Sequence, residues 1–494
     1  MVDVDDLLAR VDWEPLGMAR EQEWRLLEGS PHLPEGSRSF TVGRGDHYHV
    51  AVTLKGRCAA NDATALRAKL HPSYAPGELV RSTEVTVRTM GSTLTIAGYL
   101  PKGYSFKHPD PGVIEFTVPV YAHGVSWKVG VAGSPSWLTE WFLNGPHDSP
   151  WRRASERSFE THHTRGWGTP ANHPSDFIGS KSGGTGIDHF LVRVAGVDAV
   201  VHAVPKGLAP EWSYSIGISY YGVIPDETVR RGLEELLGFV FGRRLMKVAS
   251  VAYDAAGFAA EAEIVNPWGT DVQGPCGRPD WSIIPLSFAQ GGSANVEEVI
   301  ATLLPPYLAL REKLRLDDVL WRMSVGSEAA TTIDIPIFAA GLEILSSAWF
   351  NASESRSKGT YLPKSDFDAL LVGELSALAG KLKEQKYGDR ILRKMQRAYE
   401  TSGNERLRWF FDEIGLPIGA VEEKALRSRN HAVHPTKSHT SEEVREFVRM
   451  ANVYRSVMVR TVLKLLSWTG PYKDYGALNH PLHRLDEPSG EEGT

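Results

Sequence analysis

Residues 286–295 read LSFAQGGSAN, and the hydrophobic period of the chain changes across this Gly-rich turn. Ahead of it, HYHVAVTLK (47–55), STEVTVRTM (82–90), STLTIAGYL (92–100), GVIEFTVPVY (112–121), GVSWKVGV (124–131), HFLVRVAG (189–196) and WSYSIGISY (212–220) alternate or run apolar, with many β-branched and aromatic residues. These segments read as strands. Turn signals between them favour an antiparallel sandwich or an open sheet over repeated βαβ units. One helix interrupts the series. It starts at Pro225-Asp226 and carries Val229, Leu233, Leu236, Leu237, Val240 and Phe241 on one stripe, so it is expected to pack on the sheet.

Beyond the turn the strand patterns stop and a helical period takes over as far as Trp468. Helices are expected over 294–322, 331–350, 364–386, 388–402, a shorter pair across 405–434, and 441–467. The last opens with Thr440 and Glu443 at capping-box spacing. The fold class read here is α+β: a β-rich region of one or two subdomains (1–290), an all-α bundle (291–485) and a disordered tail (486–494).

Composition narrows the class of protein. The 494 residues are 42% hydrophobic and 10% aromatic, which excludes wholesale disorder. Two cysteines, Cys58 and Cys276, make neither a disulfide framework nor, alone, a zinc site, so a reducing cytoplasmic setting is expected. The start, MVDVDDLLARVDWEPLG, has no basic n-region and no apolar core, so no export signal is read there. The most apolar run, VMVRTVLKLLSW (457–468), is interrupted by Arg460 and Lys464, so no membrane span is expected.

Several stretches invite chemistry and support little. GSKSGGTG (179–186) places Lys181-Ser182 before its glycines, the reverse of a P-loop, and reads as a flexible loop. His47 and His49 would share one strand face, yet sequence assigns no third ligand, so no metal and no cofactor is predicted. Trp137 and Trp141 in SPSWLTEWFLNGP (134–146) read first as core and second as an aromatic ligand surface.

The strongest candidate is EEKALRSRNHAVHPTKSHTSEEVREF (422–447). Four residues separate Arg429 from His434, and Asn430 follows the arginine. An Arg and a His brought together can cleave RNA without metal: the His moves protons near neutral pH, and the Arg neutralises charge growing on the phosphate. RNA supplies its own nucleophile in the 2′-OH. Spacing alone does not select this pair, since Arg44 with His49 and Arg157 with His162 share it. Context does: a helical bundle, Asn after the Arg, Pro435 after the His and a capped helix soon afterwards. Across 381–464 there are 18 Lys+Arg against 11 Asp+Glu in a chain of net charge −6, a basic segment suited to phosphate.

Arg429-Asn430-x-x-x-His434-Pro435 resembles the signature of the HEPN ribonucleases. DIPIFAAGLEILSSAWF (334–350) and WTGPYKDYGALNHPLHRL (468–485) are similar to segments of its ApeA-like group. The resemblance spans about 290–485. Over the first half, WFLNGP and SYSIGISYYGVI…LLGFVFGRRL resemble β-rich regions fused ahead of such domains. It implies a homo-oligomer, at least a dimer, in which two motifs form one metal-independent endoribonuclease site acting on RNA, with tRNA among the candidates. Arg429 would stabilise the scissile phosphate, His434 would act as general acid/base and Asn430 would orient one of them. Arg427, with six residues between it and His434, would be a second phosphate contact. Glu343 matches an acidic helix position and would pair either with a motif Arg or with solvent. The resemblance also implies anti-phage defence, with the β-rich half controlling the nuclease in response to a phage-derived trigger. The alternative it leaves open is a non-catalytic module that binds nucleotide or protein.

Overall fold

The computed structural model describes residues 22–28, 30–45, 48–70, 82–89, 91–130, 133–146, 150–159, 162–165, 175–178, 182–204, 213–255, 259–267, 284–288, 295–328, 333–352, 360–433 and 440–489. The chain divides into two units, one of residues 1–226 with 245–280 and one of 227–244 with 281–494.

The first unit is built on one antiparallel sheet. Its strands are β1 (Gln22–Glu28), β2 (Ser37–Arg44), β3 (Val50–Ala59), β4 (Thr83–Thr89), β5 (Ser92–Pro101), β6 (Ser105–Lys107), β7 (Val113–Tyr121), β8 (Gly124–Val129), β9 (Trp137–Leu143), β10 (Arg153–Phe159), β13 (Ser182–Val194), β14 (Val197–Ala203), β15 (Ile216–Tyr221), β16 (Met246–Tyr253) and β17 (Ala259–Val265). Strands β11 (His162–Arg165) and β12 (Ser175–Ile178) pair separately, and a short helix α1 (Ala63–Leu70) follows β3.

A sandwich does not describe this unit, and an open sheet describes only the part that continues beyond a closed barrel. The order β5-β4-β1-β2-β3-β7 returns to β5 through Leu100↔Tyr121, so six strands close a barrel. From β5 the sheet continues outward as β8-β17-β16-β9-β15-β14-β13-β10. Strand β5 serves both parts because it turns a corner: Ile96 and Ala97 pair with β8, while Leu100 and Pro101 pair with β7. Gly98 sits at that corner with φ of +72°, where a β-carbon would fall 2.1 Å from the His123 ring. Only glycine fits there without strain. Alternation then fills the barrel, with Phe40, Val52, Leu54, Val85, Val87, Leu94, Ile96, Phe116 and Val118 buried in one core.

Arg44, at the end of β2, is clamped by backbone. Its guanidinium donates to the carbonyls of Tyr48 (3.0 Å), Val265 (2.7 Å) and Val248. Burial lowers its pKa to about 10, which Tyr48 only partly offsets.

The second unit comprises α2 (Glu227–Val240), α3 (Val296–Leu314), α4 (Leu316–Glu328), α5 (Asp334–Asn351), α6 (Lys364–Leu382), α7 (Gly388–Gln396), α8 (Gly403–Ile414), α9 (Ala420–Val433), α10 (Ser441–Leu465) and the small hairpin β18 (Tyr472–Lys473) with β19 (Leu482–His483). The expected helix over 294–322 is split, because Arg315 takes a left-handed conformation between α3 and α4. Helix α2, expected on the sheet, belongs to this unit and packs on α3 and α4. Gly232 admits Leu308 there, and Glu235 accepts hydrogen bonds from Tyr307 (2.8 Å) and from Arg311 Nε and Nη2 (2.6 Å each). An apolar stripe states that a helix needs a partner and says nothing of which partner. Two capping boxes fix helix starts, Ser402 with Glu405 and Thr440 with Glu443.

The expected loop over 179–186 is also corrected. Ser182 to Gly186 are the first residues of β13, paired with Phe159 to Ser155 of β10.

Candidate functional site

Helix α9 carries Arg429 and Asn430, the first two residues of the motif. It lies against α10 and α5. Ala425 and Leu426 are buried, and Lys424 bridges to Glu446 on α10. Arg429 and Asn430 fall on its last turn as backbone; their side chains lie outside the described residues, as do His434 and Pro435 altogether. Arg427 is exposed and ion-paired to Glu423 one turn earlier, 3.0 Å. Such a pair on a solvated helix is weak, and a phosphate could displace it.

Glu343, half-buried on α5, sits against the start of α8: its Oε1 is 3.5 Å from where a β-carbon at Gly403 would be. A carboxylate there faces the positive end of a helix dipole. Its backbone carbonyl accepts a hydrogen bond from the Ser346 hydroxyl, 3.2 Å.

Sequence reasoning missed the group that holds α9 in place. Arg460 and Glu422 are both fully buried and paired. Arg460 Nη2 also donates to the carbonyls of Leu485 (2.7 Å) and Pro417 (3.0 Å). Glu422 accepts from the backbone of Gly419 and of Ser489, 3.0 Å each, so it caps the start of α9 and anchors Ser489. Burial pushes the Glu422 carboxyl up while Arg460 draws it down. Beside this pair, the buried Asp474 accepts from Ser456 (3.0 Å), from the Gly476 backbone (2.8 Å) and from Ser489. The expected disordered tail thus includes Ser489, a residue with no exposed surface. A signal was present in the sequence: Arg460 lies in the apolar run 457–463, where an unpaired guanidinium would be untenable.

A second buried pair lies at the head of α5. Asp334, 1% exposed at its side chain, faces Arg455 at 3.2 Å, and burial outweighs that cation, raising the carboxyl to about 6.

The basic segment also looks different once folded. Arg397, Arg408, Lys424, Arg427, Arg455 and Arg460 each face a carboxylate. Among the described residues, Lys381, Lys383, Lys386, Arg390, Arg393 and Lys394 of the α6–α7 hairpin make no ion pair, so much of the uncompensated positive charge lies there.

In the first unit, a groove of about 580 Å³ crosses β1, β2, β3 and β7, with Arg25, Arg38, Lys55 and Arg57 beside Glu23 and Glu115. Arg57 is bound to Asp110 at 2.8 Å and Glu23 accepts from the Ser39 hydroxyl at 2.8 Å, so of the four cations lining the groove Arg57 is the one with an ion pair among the described residues. Trp137 and Trp141 are buried, Trp137 stacked on Tyr253 at 5.3 Å, which makes them core. Arg44, one of the spacing controls, is committed to backbone carbonyls. Among the described residues no cluster of three His, Cys, Asp or Glu side chains is placed to hold a metal, and no helix is long and apolar enough to cross a membrane.

No protein-family model, no curated protein and no solved structure matches the chain.

Proposed function

We propose that the chain is a metal-independent endoribonuclease of the HEPN kind, acting as a homodimer on RNA, with tRNA as one candidate substrate. The observation that carries the reading is the sequence Arg429-Asn430-x-x-x-His434-Pro435 at the end of a bundle helix, with a capped helix following it. In the reaction the 2′-oxygen attacks the adjacent phosphorus. Its proton passes to one His434, the bond to the 5′-oxygen breaks, and that oxygen takes a proton from the second His434 of the dimer. The products are a 2′,3′-cyclic phosphate and a 5′-hydroxyl. Arg429 offsets the charge on the non-bridging oxygens, Asn430 orients the motif, and Arg427 adds a phosphate contact. In the same reading Glu343 supports the bundle at the α8 start. The β-rich unit governs the nuclease in anti-phage defence, released by a phage-derived trigger.

The test is cleavage by purified protein of total RNA and of tRNA, with end chemistry read on the products. His434→Ala and Arg429→Ala should each lower cleavage by at least about 100-fold. Circular dichroism should match the parent in both variants. Full cleavage by His434→Ala, or loss of cleavage on chelation, overturns the mechanism. If the parent cuts no RNA either alone or with extract of phage-infected cells added as the trigger, the non-catalytic binding module is the correct reading.

A further inference from the structure

Helix α6 has a composition its surroundings do not satisfy. Its sequence, KSDFDALLVGELSALAGKL, is apolar around most of its circumference, yet Phe367 is its one buried residue. Phe367 packs on Tyr399 at 5.3 Å, while Leu371, Leu375, Leu378 and Leu382 are half-buried. The opposite face carries Ala369, Val372, Gly373, Ser376, Ala377 and Gly380, all exposed. Val372 is 69% exposed and Leu370, at its edge, 71%. Nothing lies within 4 Å of the β-carbon positions of Gly373 and Gly380. A helix apolar on two faces needs a second partner.

We infer that this face of α6 is a homotypic interface, covered by the same face of α6 from a second copy lying antiparallel to it. Charge supports that occupant. The first turns carry Asp366 and Asp368, and the last carry Lys381 and Lys383; all four are exposed and none makes an ion pair among the described residues. Reversing the helix about a twofold axis between Glu374 and Leu375 sets the acidic end of each copy on the basic end of the other. Asp366 then meets Lys383 of the partner subunit, and Asp368 meets Lys381 of the partner subunit. A parallel arrangement would set like charges together instead. Bulk is complementary in the same register. Ala369 comes opposite the partner's Gly380, Gly373 opposite the partner's Ser376, and Val372 opposite the partner's Ala377. The missing side chains at Gly373 and Gly380 allow the two backbones to approach closely. Such an arrangement is isologous, as a twofold dimer requires. It does not rest on the ribonuclease reading, because neither α9 nor its motif takes part.

The test reads mass rather than cleavage. Sedimentation equilibrium of the full chain is compared for the parent, for Asp366→Lys with Asp368→Lys, for Lys381→Glu with Lys383→Glu, and for the chain carrying all four substitutions. Each charge-reversed pair should weaken self-association by at least about tenfold, because like charges then face each other. The fourfold variant should return to within about threefold of the parent, since its pairs are restored with the signs exchanged. That recovery also shows that the reversed variants failed through charge and not through folding. A parent that is monomeric, reversed variants that associate like the parent, or no recovery in the fourfold variant overturns the inference.

Discussion

His202 is enclosed on β14, with the Trp141 ring at 5.4 Å edge-on and the Ser219 hydroxyl at 3.3 Å from Nε2. Burial pulls its pKa down to about 4, against smaller upward pulls from the Ala203 backbone and Asp188. A base depressed on folding leaves the unfolded chain holding the extra proton. The unfolded chain therefore gains stability as pH falls from about 6.5 towards 4. Equilibrium urea unfolding should show the parent losing about 3 kcal/mol over that window relative to His202→Gln. The two proteins should show parallel pH dependence above pH 7. A residue of this sort is invisible in sequence: nothing in VDAVVHA marks its histidine as enclosed, and only the folded sheet shows that no water reaches the ring. Asp334 and Glu422 were hidden for the same reason. Arg429, Asn430 and His434, in contrast, were found by spacing and local context, which need no tertiary information.

At the level of elements, what could be read depended on whether one face met water. β7 alternates strictly, with Ile114, Phe116, Val118 and Val120 buried, and it was legible. β9, WLTEWFL, is buried at every position and showed no period by which to recognise it as a strand. β16 and β17 were not recognised either, and barrel closure depends on a pairing between residues that local pattern does not encode. Helix limits over 364–465 were read to within a few residues where caps or glycines mark them. Exchange at the element level follows from the α9–α10 clamp. Glu422→Gln and Arg460→Met each leave one buried charge without its counterion, and each should cost roughly 3–5 kcal/mol of helical-unit stability. Glu422→Gln combined with Arg460→Met should cost less than the sum of the two, as thermal unfolding would show.

Over the whole molecule, the net charge of −6 is not spread evenly. The β-rich unit holds 23 Lys+Arg against 29 Asp+Glu, and the helical unit is balanced at 31 of each. Within the helical unit, Lys381, Lys383, Lys386, Arg390, Arg393 and Lys394, which make no ion pair among the described residues, lie on the α6–α7 hairpin, at a distance in sequence from the motif they seemed to surround. The last described residues belong to the same balance. Deleting 482–494 removes the Leu485 carbonyl from Arg460 and both Ser489 bonds from Glu422 and Asp474. Amide exchange over α9 should then quicken markedly more than in Ser489→Ala, which retains the backbone bond. Equal exchange in the two would show that the segment does not brace the helix.

That dependence has a consequence for biosynthesis. A chain is made from its first residue to its last, and Glu422 does not receive its final hydrogen bond until Ser489 has been added, 67 positions later. A nascent chain shorter than 489 residues thus holds α9 through Arg460 without the bond from Ser489. If the motif on α9 cuts RNA, the order of synthesis itself delays the finished site until residue 489 has been added.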